Sequence, residues 1–538
     1  MSGRHPLITG ARVTSLGTIS SRVLGMLRDM AMAALFGLAG SGVMDAFVIA
    51  YRIPNLFRRL FGEGALTASY LPVLATELER DRSAAWRLVS VVLVWVSLLS
   101  AGVVLLGELV FAGMWLLWGD LPGMPLLLNL SATLLPYLVL VCLAAQLSGT
   151  LHALGHFGVP ALTPVVLNVC WLAAAWLVAP LFTQDKEAQA RVIAVAILLA
   201  GVLQVAVQWP VLRRRGFRFD CDHRAVWEPL RQIGRALTPM LFGLAVTQLN
   251  SFFDSVLAWG LARTPDGPER VGWLGEAVRY PLDRGAVAAL YYGERLYHFP
   301  TGVLGLAVAA AIFPLLSRHA ARGQRDRIGT DLSLGLRLVF CLAIPAGVGL
   351  IALAEPIVTL LFQRGQFTAE DTLRTAHVVR CYGLGVWAFC ALPVAVRGFY
   401  ALGDSGTPVR VGAAVVGLNL ALNLTLLWPL AENGLALATS LSACVQVLVL
   451  IALFTRRDIS IDWRSLRATG LRAVAASAMM AAAALAALTA LPDDPSLGSG
   501  LFRVAVPVAL GGAVYAAAFR LFGGRELEQL IHGVVGDE

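Results

Sequence analysis

The octapeptide Ala153-Leu-Gly-His-Phe-Gly-Val-Pro160 recurs in the chain as Ala401-Leu-Gly-Asp-Ser-Gly-Thr-Pro408, and each copy follows a long apolar stretch. The shared pattern A-L-G-x-x-G-x-P returns at an offset of 401 − 153 = 248 positions. A second pair, Tyr70-Leu-Pro72-Val-Leu74 and Ile312-Phe-Pro314-Leu-Leu316, returns at a similar offset of 314 − 72 = 242 positions. Self-similarity at a nearly constant offset is typical of chains built from structural repeats. The chain is therefore predicted to contain two homologous halves.

The composition indicates that these halves lie in a lipid bilayer. Of the 538 residues, 58% are hydrophobic and only 14% are charged, and the mean hydropathy is +0.73. Soluble domains usually carry about 25% charged residues. Apolar stretches long enough to span a bilayer recur from end to end, so we predict an all-α integral membrane protein with about 14 transmembrane helices. No polar segment is long enough for a separate catalytic domain, so the protein is predicted not to be an enzyme.

The repeat offsets divide the predicted helices into three groups. Six helices form a first lobe within residues 1–215, six form a second lobe within 225–457, and two accessory helices lie within 465–538. Both copies of each motif fall at helix ends on the same predicted side of the membrane. The repeats are therefore expected to be parallel, related by an axis along the membrane normal, with the substrate between them.

The basic residues predict the orientation of the chain. The formal net charge is +8, nearly all of the positive charge is arginine, and Lys186 is the only lysine. The arginines cluster in short loops between predicted spans, at residues 80–87, 213–224, 318–327 and 456–467, although loop 262–284 is mixed. Cytoplasmic loops are enriched in this way, so both termini are predicted to be cytoplasmic in a bacterial inner membrane. This distribution argues against a nucleic-acid partner.

Motifs for metal, ATP or disulfide chemistry are missing from the sequence. None of the seven cysteines forms a C-x-x-C pair, so neither a disulfide framework nor a zinc site is indicated. The single lysine follows Asp185 and does not form the G-K-[ST] of an ATP-binding loop. We therefore expect no cofactor, and transport that is not driven by ATP.

Charged residues inside apolar stretches mark the candidate substrate site. A charge at bilayer depth costs at least about 2.5–3.5 kcal/mol, so such residues usually face a cavity or a partner. The candidate cavity residues are Arg22, Arg28, Asp29, Asp45, Arg52, Arg58, Glu294 and Arg295. Ion pairing and snorkelling from helix ends are the alternative, and Arg59 with Glu63 fits that pattern. Arginine binds phosphate through a bidentate fork, so several arginines in one cavity favour an anionic cargo.

The segments that carry these charges resemble the MurJ/MviN family of lipid II flippases. In the first half they are Ser21-Arg-Val-Leu-Gly-Met-Leu-Arg-Asp29, Asp45-Ala-Phe47, Ile53-Pro-Asn-Leu-Phe-Arg-Arg59 and Gly62-Glu-Gly-Ala65. In the second half they are Tyr292-Gly-Glu-Arg-Leu-Tyr-His-Phe-Pro-Thr-Gly-Val-Leu-Gly305 and Leu361-Phe-Gln-Arg-Gly-Gln-Phe367. The resemblance covers essentially the whole chain.

The resemblance implies the fold of the multidrug/oligosaccharidyl-lipid/polysaccharide exporter superfamily. It also implies that the protein moves lipid II, the undecaprenyl-diphospho-muropeptide precursor of peptidoglycan, from the cytoplasmic to the outer leaflet by alternating access. The family's charged cavity carries over onto Arg22, Arg28, Asp29, Asp45, Arg58 and Arg295, and the accessory helices are expected to form a groove for the lipid tail. Glu294 departs from the aspartate expected before the arginine. An exporter of other lipid-linked glycans or drugs in the same superfamily is the alternative function.

A second polar group is a candidate site for a coupling ion. Asp254, Asn419, Asn423 and Thr439 lie in predicted spans and could supply oxygen ligands to Na⁺. Ordinary hydrogen bonding between helices is the alternative interpretation, and H⁺ is the other candidate coupling ion. The expected partners are lipid II, membrane lipids and other cell-wall synthesis proteins, and the chain is expected to act as a monomer.

Overall fold

A computed structural model describes residues 4–38, 42–58, 65–264, 269–271, 278–457, 459–492 and 497–526. The prediction of an all-α membrane protein is confirmed, because these residues form twenty α-helices and one two-stranded ladder. By length and composition, ten helices among them could span a membrane, or eleven if a bent helix pair is one span. The predicted count of about 14 spans is therefore not confirmed.

The chain divides into two compact units. Unit 1 comprises Met1–Trp259, Arg263–Val278 and Asp283–Gly285, and unit 2 comprises Gly260–Ala262, Arg279–Leu282 and Ala286–Glu538. The helix that the repeat assigned to the second lobe, at residues 227–259, groups with unit 1. The predicted boundary between the lobes near residue 220 and the predicted separate group of accessory helices at 465–538 therefore stay predictions.

Unit 1 consists of ten helices with irregular breaks. They are α1 (Arg4–Phe36), α2 (Val43–Phe57), α3 (Ala65–Arg80), α4 (Arg82–Trp118), α5 (Met124–Leu134), α6 (Tyr137–Ala153), α7 (Gly158–Ala173), α8 (Ala179–Phe182), α9 (Lys186–Arg214) and α10 (Trp227–Gly260). A π-helical segment, Ala174–Val178, joins α7 to α8. The helix α4 begins at Asp81, whose carboxylate accepts hydrogen bonds from the backbone N–H groups of Ser83 and Ala84 and so caps the helix.

Unit 2 also consists of ten helices. They are α11 (Ala286–Pro300), α12 (Leu306–Ala321), α13 (Arg325–Ala352), α14 (Ala354–Phe362), α15 (Ala369–Gly383), α16 (Val386–Ala401), α17 (Gly406–Leu430), α18 (Glu432–Thr455), α19 (Trp463–Ala490) and α20 (Leu497–Leu521). A π-helical segment, Thr301–Gly305, joins α11 to α12. The ladder pairs β1 (Ala262–Arg263) with β2 (Leu282–Asp283). Thr368 and Asp371 form a reciprocal capping box at the start of α15.

The first copy of the repeated octapeptide ends α6 in a left-handed turn. Gly155 has φ +70°, which only glycine adopts at little cost, and its N–H donates to the carbonyl of His152. The N–H of His156 donates to the carbonyl of Leu151. Arg215, which follows α9, reaches back to this turn and places Nη2 3.4 Å from His156 Nδ1.

The second copy ends α16 in the same way, 248 positions later. Gly403 has φ +74°, and its N–H donates to the carbonyl of Tyr400, while the N–H of Asp404 donates to that of Phe399. Arg457, at an offset of 457 − 215 = 242 from Arg215, again reaches the turn and places Nη2 2.5 Å from Asp404 Oδ2. The two copies therefore share their backbone hydrogen bonds and a contact with an arginine, but the side chain that the arginine contacts differs.

Asp404 lies in the loop between two spans and is held in its charged form. Burial alone would raise its pKa, but hydrogen bonds from the hydroxyl and N–H of Thr407 and from Arg457 lower the pKa from 3.8 to about 2. A carboxylate with a lowered folded pKa stabilises the folded state above its unfolded pKa. That contribution is complete above pH 4 and is lost as the pH falls toward 2.

We predict that Asp404→Asn lowers the free energy of unfolding by about 1 kcal/mol at pH 7, because one ion pair and a turn cap are weakened. Thermal unfolding of the purified protein in detergent measures the effect. The difference between wild type and variant should shrink when the pH is lowered from 5 to 3. His156→Ala at the matching position is the control and should cost less, and a pH-independent difference would contradict the assignment.

Candidate functional site

Arg28 lies in a closed polar network within unit 1. Its side chain and that of its neighbour Asp29 are almost fully buried, at 8% and 4% exposure. The guanidinium Nη2 lies 2.7 Å from Asp29 Oδ1, and Nη1 donates to Asn168 Oδ1 at 3.0 Å. The guanidinium carbon also lies 4.4 Å from the centroid of the Trp171 ring. The charge is therefore neutralised by a carboxylate and covered by an aromatic face.

Two glycines of α1 bring this network together. A Cβ at Gly17 would lie 2.8 Å from Cβ of Ala161, so α7 approaches α1 more closely than a larger residue permits. Gly25, eight residues later on the same helix face, lies against the side chain of Asn168. The Asn168 amide donates to the carbonyl oxygen of Ser21 at 3.0 Å. Close helix packing at small residues thus places the amide beside Arg28.

Arg22 contrasts with Arg28 although it lies on the same helix. It is exposed, and within the described ranges its guanidinium makes no hydrogen bond or ion pair. Arg22 lies 14 residues before the end of α1, or about 21 Å along the helix axis. An exposed arginine at that position has its full set of donors available for an anion.

Asp45 and Arg284 lie in unit 1, near the start of α2 and the end of α10. The Asp45 carboxylate, fully buried in the first turn of α2, accepts a hydrogen bond from the N–H of Gly285 at 2.6 Å. Arg284 is also buried, with its guanidinium 3.6 Å from the centroid of the Trp259 ring and Nη1 donating to the Trp259 carbonyl at 3.3 Å. Sequence reasoning missed Arg284, because it lies in a short mixed loop and not in an apolar run. Its position directly before the glycine that begins α11 was the available signal.

The two remaining candidate arginines, Arg52 and Arg58, each donate a hydrogen bond within unit 1. Arg52 Nη1 donates to the backbone carbonyl of Ser251 on α10 at 2.6 Å. Arg58 Nε donates to Asn55 Oδ1, one turn earlier, at 3.0 Å. Both arginines are half-buried, and Arg59 and Glu63 lie outside the described residues.

Arg295 and Glu294 lie on α11 in unit 2, where both are half-buried. Arg295 Nη2 donates to the Tyr291 hydroxyl at 2.8 Å, and its guanidinium carbon lies 4.5 Å from the centroid of that ring. Arg295 follows the left-handed Gly285 by ten residues, and Arg52 likewise follows the left-handed Gly42 by ten. The two arginines thus occupy matching positions in the predicted repeats.

The candidate ion ligands are divided between the units. In unit 2, Asn419 Oδ1 accepts a hydrogen bond from the Ser442 hydroxyl at 3.2 Å, and the Thr439 hydroxyl donates to its own helix at Leu435. Asn423 is fully buried on the same helix as Asn419. These oxygens suit a hard cation chemically. Asp254 is buried in unit 1, and its place in a common site with the other three remains a prediction.

Comparison with known proteins identifies the family. A family model described as "Lipid II flippase MurJ" matches residues 32–505. A protein from Vibrio cholerae named "Probable lipid II flippase MurJ" is 33% identical over 467 residues, which is 82% of each chain. A protein of the same name from Rhizobium meliloti is 30% identical over 536 residues, covering 96% of this chain and 94% of that one. The chain belongs to the MurJ family of lipid II flippases.

A solved structure confirms the fold of this MurJ family member. The protein described as "Lipid II flippase MurJ, inward closed conformation" has a TM-score of 0.72, covering 96% of this chain and 99% of that one. At 22% sequence identity the likeness shows the fold alone. The MurJ fold brings Arg28 and Asp29 together, keeps Arg52, Arg58 and Asp45 in unit 1, and places Glu294 and Arg295 in unit 2.

The geometry predicts that Arg28 has a structural role in this MurJ-family chain besides any role in binding. Removing one partner of a buried ion pair leaves the other charge poorly compensated, at a cost of about 3–5 kcal/mol. Arg28→Ala should therefore lower the thermal unfolding midpoint sharply, and the double variant Arg28→Ala/Asp29→Ala should be more stable than the sum of the single changes predicts. Additive single changes in a double-mutant cycle would contradict the network. Arg22→Ala is the matched control on α1 and should leave the midpoint unchanged.

Proposed function

We propose that this protein moves lipid II from the cytoplasmic to the outer leaflet of the bacterial inner membrane for peptidoglycan synthesis. The observation that carries the proposal is the exposed Arg22 on α1, which the sequence predicts to be a membrane span, in a MurJ-family chain. An arginine with free donors at bilayer depth needs an anion or water, because hydrocarbon cannot solvate it. The diphosphate of lipid II supplies oxygen acceptors with the geometry that a guanidinium binds best.

In the proposed mechanism, the arginines have different roles, which depend on the contacts that each guanidinium makes. Arg22 offers its donors to the diphosphate, and Arg295, whose Nη2 donates to the Tyr291 hydroxyl, contributes a second positive charge. Stacking on the aromatic ring fixes the direction of the Arg295 guanidinium without neutralising its charge. Arg28 supports α1 and α7 from inside its network and keeps the frame for Arg22 rigid.

Alternating access between two repeats provides the movement in this proposal. One chain supplies both repeats, so a monomer suffices. The arginine-rich loops support an orientation with both termini in the cytoplasm. The accessory helices α19 and α20 pack on α13 through a core of Cys341, Ala473, Tyr515 and Phe519. Their outward faces are apolar, with Leu471 and Phe502 exposed, and suit the polyprenyl tail.

Substitution of the exposed arginine tests the function directly. We predict that Arg22→Ala and Arg295→Ala abolish complementation of a lipid II flippase depletion strain at normal membrane abundance. Each removes donors to the diphosphate and leaves packing largely intact. Lipid II on the outer leaflet, measured after depletion, is the readout. Arg80→Ala is the control, because Arg80 is a largely exposed residue at the end of α3, and it should complement fully. Normal growth of both cavity variants would refute the assignment.

The driving force gives a second test. The cargo is anionic, and each negative charge that moves from a negative cytoplasm outward gains about 2.3 kcal/mol per 100 mV of membrane potential. We therefore predict that dissipating the potential, with pH and sodium gradients kept, stops outward movement of lipid II within minutes. Transport that persists without potential and fails without sodium would instead assign the drive to Asn419, Asn423, Thr439 and Asp254. That outcome would refute the voltage mechanism and leave the flippase function standing.

A further inference from the structure

A loosely held ion pair lies in unit 2 beside two helix breaks. Arg380 Nη2 is 3.6 Å from Glu355 Oε2, which is too long for a strong hydrogen bond, and the two side chains are 37% and 51% exposed. Among the described residues this is the only ion pair that either side chain makes, and neither donates or accepts a hydrogen bond. Most of the donors of Arg380 are therefore available.

The same helix provides a contrast. Arg374, six residues earlier on α15, donates from Nε to Glu432 Oε1 at 2.8 Å, and the side chain of that glutamate is only 8% exposed. That pair joins α15 to the start of α18 and has the geometry of a structural ion pair. The Arg380–Glu355 pair has a longer N–O distance and more exposed side chains than the Arg374–Glu432 pair. It therefore lacks the geometry of a structural ion pair.

Arg380 belongs to a continuous exposed stripe of α15. Glu370, Leu373, His377, Arg380 and Leu384 recur at spacings of three and four residues and so share one face. Within the described part of the chain, the His377 ring makes no hydrogen bond or ion pair. Arg380 lies 11 residues from the start of α15, or about 16 Å along its axis, and Glu355 lies seven residues, or about 10 Å, from the end of α14. Counted together, α15 and α16 are long and apolar enough for one bent span, and Arg380 lies in the interior of that span, where a charged side chain usually faces water or protein and not lipid.

Helix breaks on both sides explain how the charges are tolerated. Arg380 is in the last turn of α15, just before a 41° bend into α16, and Glu355 is in the first turn of α14, just after α13 ends. A positively charged side chain at a helix C-terminus and a negatively charged one at a helix N-terminus are each stabilised by the helix dipole. Broken helices of this kind form the substrate sites of many transporters.

We propose that Arg380, together with His377 and Glu355, forms an anion-binding subsite in unit 2 for the acidic groups of the cargo head. The ligand class is an oxyanion, either the diphosphate or the carboxylates of the peptide. Glu355 holds the guanidinium in place while no anion is bound, and the anion displaces that loose contact. This proposal rests on the proposed function, because it takes lipid II as the cargo.

Water access is the first requirement of the subsite. In the full-length protein in native membranes, His377→Cys should react with a membrane-impermeant thiol reagent well above the background of the natural cysteines. Leu448→Cys, an exposed apolar position on α18, is the control and should stay near background. Equal, slow labelling of both positions would place the stripe against lipid and overturn the proposal.

Transport by the reconstituted protein tests the ligand. Two cargoes are compared, lipid II with its full peptide and a polyprenyl-diphospho-disaccharide without peptide. Arg380→Gln should raise the KM for lipid II at least about tenfold, as expected for loss of a charged hydrogen bond, while kcat per folded protein stays near that of wild type. A rise in KM for both cargoes identifies the diphosphate as the ligand, and a rise for lipid II alone identifies the peptide carboxylates.

The controls separate this proposal from folding and from the parent function. Arg374→Gln should lower the amount of folded protein without changing KM, because its pair is structural. Unchanged KM for Arg380→Gln with both cargoes would overturn the subsite while leaving the flippase function intact. Wild-type protein that moves neither cargo would instead refute the proposed function itself.

Discussion

The cost of placing a charge in hydrocarbon controls most of this structure. Such a charge costs at least about 2.5–3.5 kcal/mol, so each one in a spanning helix needs a counter-charge, an aromatic cover or water. All three solutions occur. Arg28 is enclosed by Asp29, Asn168 and Trp171, Arg295 lies against the ring of Tyr291, and Arg22 is exposed. The helix packing follows from these requirements, because the polar partners come from helices far apart in sequence.

Aromatic rings have a particular part in this arrangement. The guanidinium groups of Arg28, Arg284 and Arg295 lie 4.4, 3.6 and 4.5 Å from the centroids of Trp171, Trp259 and Tyr291. A ring face attracts the cation but takes none of its in-plane N–H donors. The ring therefore orients the guanidinium without using any of its hydrogen-bond donors, and at Arg28 those donors are taken up by Asp29 and Asn168.

The sequence predicted the fold class and the helix ends at the two octapeptides because both depend on local signals. Composition indicates the membrane, and a glycine that must adopt a left-handed φ marks the turn at Gly155 and Gly403. The number of spans is harder to predict, since breaks such as those at Leu353 and Leu384 interrupt apolar runs without any change in composition. The sequence predicts a polar environment for Arg28 from its charge within an apolar run, but the contacts with Asn168 and Trp171 join residues about 140 positions apart. No local pattern encodes such a contact.

The repeats show how one frame can support different chemistry. Arg215 and Arg457 contact turns at matching positions. Arg215 contacts the imidazole ring of His156, whereas Arg457 contacts the carboxylate of Asp404. Arg52 and Arg295 follow equivalent left-handed glycines, yet one donates to a backbone carbonyl and the other to a tyrosine hydroxyl. On the predicted duplication, the backbone geometry is the same where it sets helix ends, while the side chains at matching positions differ. A cargo with a charged head and an apolar tail is itself asymmetric, so two identical halves could not both be complementary to it. On the predicted duplication, a difference in polar side chains resolves that conflict, because the helix ends stay the same while the groups available to the cargo differ between the halves.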